Sequence, residues 1–332
     1  MSARKLRRLL LVLALASVLV GCSGAVSEPS ITPFVQPAVT SILPTATTVE
    51  STTTPVSTST VVPSTGDVGE EALAEPPSAG LAAESITTLM AHDVSLPFTF
   101  IAIGDTQDKN PKDTSGSEIF ALLIEQINEF QPDFVIHLGD VSDRGTAYEL
   151  DRFDGLIAEL GPTLIMVPGN HDTKSRRKLF GERYVAPNAS TKLMDYSFDY
   201  GGVRFIIVDN SDYYLTREQL DWLERQLQTS KRKIVSMHCP PDYGRWKDMG
   251  GMYSPEAFMR LMKTYGVDLV YCGHIHLHNS MKVAGTKYII SGCGGGTLSG
   301  RELGIKAHGF DVIRVDAESI DTEFVRLSVR RP

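Results

Sequence analysis

From Phe98 onward, apolar and polar positions fall into short repeating blocks. Phe98–Ile103 is an almost unbroken apolar run between Pro97 and Gly104, the pattern of a strand buried on both faces. Ser117–Phe130 follows with apolar residues at Ile119, Phe120, Leu123, Ile124, Ile127 and Phe130, a period that predicts a helix with one apolar face. Asp133–Leu138, Ala147–Leu160 and Thr163–Val167 repeat the alternation as strand, helix and strand. Such an order implies parallel strands joined by right-handed crossovers.

The pattern then changes. Leu193–Tyr200 and Val203–Val208 flank Gly201-Gly202, a hairpin signal. A helix is expected over Thr216–Gln228, with Thr216 as N-cap and Gln219 three residues on completing a capping box. Further strands are expected at Lys233–Met237 and Val267–Tyr271, separated by a helix starting near Ser254-Pro255-Glu256. Four short strands fit Ser280–Ala284, Thr286–Ile290, His308–Val315 and Ile320–Val325. One α/β domain over 96–332 is implied, and two packed sheets with helices outside suit this many strands better than one wide sheet.

Polar clusters sit at the ends of these apolar runs: Gly104-Asp105-Thr106-Gln107, Gly139-Asp140-Val141-Ser142-Asp143-Arg144-Gly145, Gly169-Asn170-His171-Asp172, His238 and Gly273-His274-Ile275-His276. Loops leaving the carboxyl ends of neighbouring strands share one edge of a sheet, so these side chains are expected to converge in one crevice. The preceding glycines are expected to let the backbone turn sharply. Carboxylates, imidazoles and amides together form the ligand set of a two-metal site. His137, inside a strand, reads as a satisfied core histidine, and His278 as an exposed loop residue. Tyr243, Arg245, Trp246 and Lys247 follow Cys239-Pro240-Pro241 in a loop that either contacts a substrate or packs as a lid.

The first third of the chain is different. Arg4, Lys5, Arg7 and Arg8 precede an apolar run, Leu9–Val20, too short to span a membrane, so 1–21 is expected to be a signal sequence. Leu19-Val20-Gly21-Cys22 resembles the cleavage box of bacterial lipoproteins. That resemblance implies a lipidated Cys22 and a protein anchored to a membrane on its extracytoplasmic side. Residues 22–95, rich in Thr, Ser and Pro, are expected to be a disordered tether with no core of their own. The chain carries a net charge of −8. Without a basic field, no nucleic acid partner is indicated. Cys239, Cys272 and Cys293 are an odd number for an exported chain and read as small buried residues, with a Cys239–Cys293 disulfide as the alternative.

Taken in order, the clusters resemble the motifs of the calcineurin-like metallophosphoesterase family: Asp-x-His, Gly-Asp-x-x-Asp, Gly-Asn-His-Asp/Glu, a lone His and Gly-His-x-His, spanning Ile101 to Gly296. The resemblance implies a four-layer αββα sandwich of two mixed β-sheets flanked by helices. It implies a first divalent ion held by Asp105, Gln107, Asp140 and His276, and a second held by Asp140, Asn170, His238 and His274. A hydroxide between them would attack a phosphate mono- or diester. His171 takes the place of the general acid, with Asp172 holding its ring. Arg144 takes the place of a phosphate-binding arginine, or simply pairs with Asp143. Gln107 departs from the usual histidine, and its weaker oxygen ligand favours Mn²⁺ over Fe²⁺ or Zn²⁺. Asp143 stands where purple acid phosphatases carry an iron-ligating tyrosine, which excludes that branch. The competing expectation is a surface lipoprotein that keeps the fold for binding or adhesion.

Overall fold

The apolar runs of the sequence become the inner strands of two sheets. In the computed structural model, which describes residues 72–328 apart from 92, 93, 95 and 111, β1 (Phe98–Ile103), β2 (Phe134–His137) and β3 (Thr163–Met166) are parallel neighbours. The antiparallel strands β10 (Gly309–Val315) and β11 (Ile320–Arg326) extend this sheet to the order β11-β10-β1-β2-β3. The second sheet runs β4-β5-β6-β7-β9-β8, formed by Tyr196–Tyr200, Val203–Val208, Arg232–Met237, Leu269–Cys272, Thr286–Ser291 and His278–Val283 in that order. Both sheets are mixed, because crossovers make parallel pairs and hairpins make antiparallel ones.

The inner faces meet through aromatic side chains. Phe100 and Phe134 stack with centroids 5.1 Å apart, and Phe205 of the other sheet meets each of them edge-on at 5.4 Å. Outside the first sheet lie α2 (Ser115–Phe130), which buries Phe120, Leu123, Ile124 and Ile127, and α3 (Ala147–Ile157), which buries Leu150 and Phe153. Outside the second lie α6 (Arg217–Leu227) and α7 (Glu256–Thr264), which bury Trp222 and Leu223 and Phe258 and Met262. The αββα sandwich expected from the sequence is therefore what the chain forms. The capping box at Thr216 and Gln219 is present, and a second one, Thr146 with Glu149, starts α3.

One boundary is wrong. The tether was expected to run to residue 95, but residues 72–91 belong to the fold. Its sequence clue was a helical period, Ala82, Ile86 and Leu89, hidden in a segment dominated by small residues. Those three side chains line the buried face of α1 (Leu81–Met90), in the same core as Phe100 and Phe134. Each large one contributes roughly 1.5–3 kcal/mol by leaving water.

Glu75 fixes the segment more firmly. Its carboxylate accepts from Trp222 Nε1 at 2.9 Å and Gln226 Nε2 at 2.8 Å, and its backbone pairs with Ser197 at the free edge of β4. The short helices α4 (Asn170–Thr173) and α5 (Arg177–Arg183) were also not foreseen. The expected signal sequence, Cys22 and the tether before residue 72 lie outside the described residues.

Glu75→Ala leaves three donors, on Trp222, Gln226 and Asn188, without their acceptor and should lower stability by about 2–4 kcal/mol. A chain starting at residue 96 loses Glu75 and α1 together and should unfold at a still lower urea midpoint than the Glu75 variant. Urea titration followed by tryptophan fluorescence measures both, and an unchanged midpoint in the shortened chain would restore the boundary at residue 95.

Candidate metal centre

Five strand ends contribute to one crevice. Asp105 and Gln107 follow β1, Asp140 follows β2, Asn170 follows β3, His238 follows β6, and His274 and His276 follow β7. All seven predicted ligands come together. Asn170 Oδ1 lies 2.9 Å from His238 Nε2 and 2.9 Å from His274 Nδ1, and Asp140 Oδ2 lies 3.3 Å from His238 Nε2. On the other side of Asp140, Gln107 Nε2 is 3.3 Å from Oδ2 and 3.4 Å from His276 Nε2, which is itself 3.3 Å from Asp105 Oδ1. Asp140 thus stands between two groups of side chains.

Four of these residues adopt left-handed backbone: Asp105 at φ 58°, Asp140 at 57°, His274 at 73° and His276 at 52°. That conformation costs a non-glycine residue roughly 1–2 kcal/mol, and such strain concentrates at functional sites. Gly139, at φ 92°, turns the backbone as expected, but in the clusters of Asp105 and of His274 and His276 the ligands themselves make the sharp turns, and Gly104, Gly169 and Gly273 have no positive φ. Their main contribution is close approach. A Cβ on Gly169 would lie 2.2 Å from Asp140 N, and one on Gly292, in the glycine-rich turn Gly292–Gly296, would lie 2.5 Å from Asp105 Oδ2.

Each histidine is anchored through the nitrogen that faces away from the cluster. His238 Nδ1 is 2.7 Å from the Leu138 carbonyl, His276 Nδ1 is 2.7 Å from the Thr297 carbonyl, and His274 Nε2 is 2.9 Å from the Gly250 carbonyl. A carbonyl only accepts, so the facing nitrogen carries the proton. This leaves Nε2 of His238 and His276, and Nδ1 of His274, to present lone pairs to the crevice. Fixing the tautomer through the remote nitrogen is how a protein orients imidazole ligands. Asn210, absent from the sequence expectations, adds to this: its Oδ1 accepts from His238 N at 3.1 Å and Cys239 N at 3.0 Å. Its signal was the same as the others, a polar residue just past the apolar run Val203–Val208.

The donor set fits divalent cations. Ions bonded to nitrogen and oxygen at ~2.0–2.2 Å hold neighbouring ligand atoms about 3.0–3.5 Å apart, which is the spacing found here. Gln107 turns its Nε2 toward Asp140 and His276, and its Oε1 is buried with no partner among the described residues, so the amide has an oxygen free to serve as a ligand once turned over. Asp105, Asp140 and His276 form one cluster of candidate ligand atoms, and His238, Cys239 and His274 another. Burial holds the Cys239 thiol well above its ordinary value, so it stays neutral and packs with the core.

Electrostatics follow from crowding two carboxylates with three imidazoles. Burial pulls His238 down, but Asp140, then Asp105, outweigh it and hold it up at about 9. Burial likewise opposes His276, and Asp105 lifts it to about 9. His274 is lowered to about 4 by burial and by the His238 charge. Asp140 is held well below the usual carboxylate range: burial works against its charge, but His238, His171 and His274 outweigh it.

His171 and Asp172 separate. The expected contact between them is absent, and Asp143 takes that place: His171 Nδ1 lies 2.8 Å from the Asp143 carbonyl and 3.4 Å from its Oδ1. Asp172 faces the protein interior. It accepts from the backbone amides of Asp140 at 2.8 Å, Val141 at 3.0 Å, Ser142 at 3.1 Å and Gly169 at 3.1 Å, and from Ser142 Oγ at 2.8 Å. Its role is to position the loops. Arg144 is 68% exposed, pairs with Asp143 at 3.2 Å and lines the cavity next to His171.

The remaining expectations divide. His137 is a buried core histidine, lowered to about 3 by burial, accepting from Gly139 N and bonded to Thr106 Oγ1 at 3.0 Å. His278 is not an exposed loop residue: it begins β8, stacks on Phe324 at 4.3 Å and meets Asp311 Oδ1 at 3.2 Å. Trp246 is buried and bonds Asn279, whereas Tyr243 is 44% exposed, so the loop is part lid and part open surface. Cys239, Cys272 and Cys293 are buried and free, so no Cys239–Cys293 disulfide forms.

Several known proteins are similar to this chain. The chain is 28% identical over 166 residues to a 3',5'-cyclic adenosine monophosphate phosphodiesterase of Pseudomonas aeruginosa, covering 46% of this chain and 58% of that protein. It is 28% identical over 182 residues to a cAMP/cGMP dual specificity phosphodiesterase of Mycobacterium tuberculosis, covering 49% and 55%. The chain thus spans little more than half the length of these two relatives. Among solved structures, a purple acid phosphatase from yellow lupin seeds shares the fold with a TM-score of 0.59 at 18% identity, over 70% of this chain and 52% of that one. The family model for calcineurin-like phosphoesterases matches residues 98–278, more than half of the chain and every motif from Asp105 to His276, and the chain therefore belongs to that family.

Proposed function

We propose that this chain is a two-metal phosphoesterase that hydrolyses a small phosphate monoester or diester, anchored by Cys22 to the outer face of a membrane. The observation that carries the enzymatic reading is the convergence of two ligand groups on Asp140, with His171 just outside both. Asp105, Gln107, Asp140 and His276 would hold one ion, and Asp140, Asn170, His238 and His274 the other. Two divalent ions held there would neutralise phosphoryl oxygens and make a bound water acidic enough to attack at neutral pH. The cyclic nucleotide phosphodiesterases resembling this chain support phosphoester hydrolysis as the reaction class.

The chain's own residues supply the rest of the reaction. Water oxygen bonds to phosphorus as the ester P–O bond breaks, and the attacking water's proton passes to solvent. The departing oxygen needs a proton, and His171 Nε2 is placed to give it. The ring is set for this by the Asp143 carbonyl at Nδ1, with the Asp143 carboxylate 3.4 Å from the same nitrogen. The His171 backbone amide also donates to Asp140 Oδ1 at 2.9 Å, which ties the proton donor to the central carboxylate.

Gln107 is the weakest arm of the site. Turning its amide over exchanges Nε2 with the unpartnered Oε1 and aims the carbonyl oxygen at Asp140 and His276, and amide orientation is assigned from such partners. A neutral oxygen in place of an imidazole favours oxygen-tolerant Mn²⁺ and weak holding. The alternative, a lipoprotein that has kept the fold for binding alone, predicts a purified protein with close to no bound metal.

Asp140→Ala should remove both metal retention and turnover, measured by elemental analysis and by release of p-nitrophenol from aryl phosphate monoester and diester. His171→Ala should keep the metal and lose about 10²–10³-fold in turnover, most for poor leaving groups; full turnover in the Asp140 variant would sink the mechanism.

Metal uptake should depend steeply on pH. His238 and His276, held near 9 in the free site, carry protons below that pH and must release them to bind an ion. Mn²⁺ affinity should rise about 10- to 100-fold per unit between pH 7 and 8 and flatten above 9, as calorimetry in buffers of different ionisation enthalpy would read. The weaker of two binding steps should tighten in Gln107→His, and a flat pH profile would contradict the assignment. Anchoring is tested separately: Cys22→Ser should move the protein from the membrane fraction to the soluble one without changing its specific activity.

A further inference from the structure

Beside His171 opens a cavity of about 510 Å³ whose lining is cationic. Arg144, Lys174 and Arg176 contribute three positive charges, Thr146 and Ser175 two hydroxyls, and Asp143 is the only carboxylate among the lining residues. That carboxylate is engaged, with Oδ2 3.2 Å from Arg144 Nε and Oδ1 3.4 Å from His171 Nδ1. The cations a few residues further on are all matched: Arg177 with Asp209 and Asp212, Lys178 with Glu182, and Arg183 with Asp151 and Asp154. Lys174 and Arg176 are exposed and have no carboxylate partner among the described residues. In a chain of net charge −8, the two unmatched cations of this segment therefore both face the cavity that holds His171.

A proton donor must lie within hydrogen-bond reach of the oxygen it protonates. If His171 protonates the leaving oxygen, the alcohol that departs occupies this cavity. We propose that this alcohol carries a phosphate of its own, bound by Lys174 and Arg176 with Ser175 and Thr146 as further donors, so that the substrate is a small bisphosphorylated molecule. A guanidinium beside an ammonium suits a phosphate dianion, the first by bidentate bonding and the second as a point charge. No hydrophobic side chain and no Phe, Tyr or Trp is among the lining residues, so the charged and hydroxyl groups are the ones that can recognise a departing group there. The inference rests on the phosphoesterase reading and adds to it the chemistry of the departing group.

The test uses the full chain and simple probes: monophosphates and bisphosphates of propane-1,3-diol and hexane-1,6-diol, with binding followed by calorimetry and hydrolysis by phosphate release. The bisphosphate of at least one length should bind roughly tenfold more tightly than its monophosphate, the increment of two exposed charge pairs. In Lys174→Ala/Arg176→Ala that ratio should fall to the statistical factor of about two, while Lys178→Ala, whose ammonium is paired with Glu182, should keep it. Because both altered side chains are exposed, the double variant should melt with the parent, which separates lost recognition from lost fold. A ratio near two in the unaltered protein at both lengths, or an unchanged ratio in the double variant, overturns the proposal. Tight bisphosphate binding with no phosphate released from any probe would instead overturn the hydrolytic reading and leave the cavity assignment standing.

Discussion

A buried carboxylate, Asp172, ties together the two loops from which most of the central chemistry projects. It gathers four backbone amides and one hydroxyl from the segments after β2 and β3, donors that burial would otherwise leave without water or partner. Because those amides belong to Asp140, its two neighbours Val141 and Ser142, and Gly169, the positions of Asp140, Asn170 and His171 are fixed relative to one another by a single group. Burial, followed by repulsion from Asp140, raises Asp172 to about 7. The hydrogen bonds oppose that shift, which makes this carboxylate a point where the stability of the loops and the charge of the site are coupled.

Strain and packing are distributed around that anchor. Four ligand residues accept left-handed backbone, and glycines at the crowded contacts let the loops approach closely enough to hold them there. The cost is met by the two-sheet core beneath, where stacked and edge-on phenylalanines fix the strand ends rigidly. A rigid scaffold with strained residues at its rim is how a site stays organised while carrying more like charge than a relaxed loop would tolerate.

The two ends of the site differ in character. Toward His171 the surface is cationic and open. Toward His274 it is aromatic, with Tyr213 edge-on to the imidazole at 5.3 Å and Tyr253 beyond it at 6.0 Å. The Gly250 carbonyl bonded to His274 Nε2 connects that side to the loop whose Trp246 is buried, while Arg301 bonds the carbonyls of Asp248 and Met249 next to it. Ligand orientation and the shape of the surrounding loops are therefore not independent.

Much of this was legible in the chain. Strand and helix positions follow from apolar periodicity, which burial enforces locally, and the ligands follow from polar residues placed where buried strands end. The sequence alone was enough to name all seven side chains that converge. It missed α1 because three apolar residues among many small ones look like a linker until a core is there to receive them. It paired His171 with Asp172 because they are adjacent in the chain, yet consecutive residues in a helical turn point in different directions, and only the fold shows Asp172 turned inward and Asp143 turned toward the ring. Sequence determines which groups are available at each strand end; which of them bond to one another depends on distances between segments far apart in the chain, and only tertiary packing sets those.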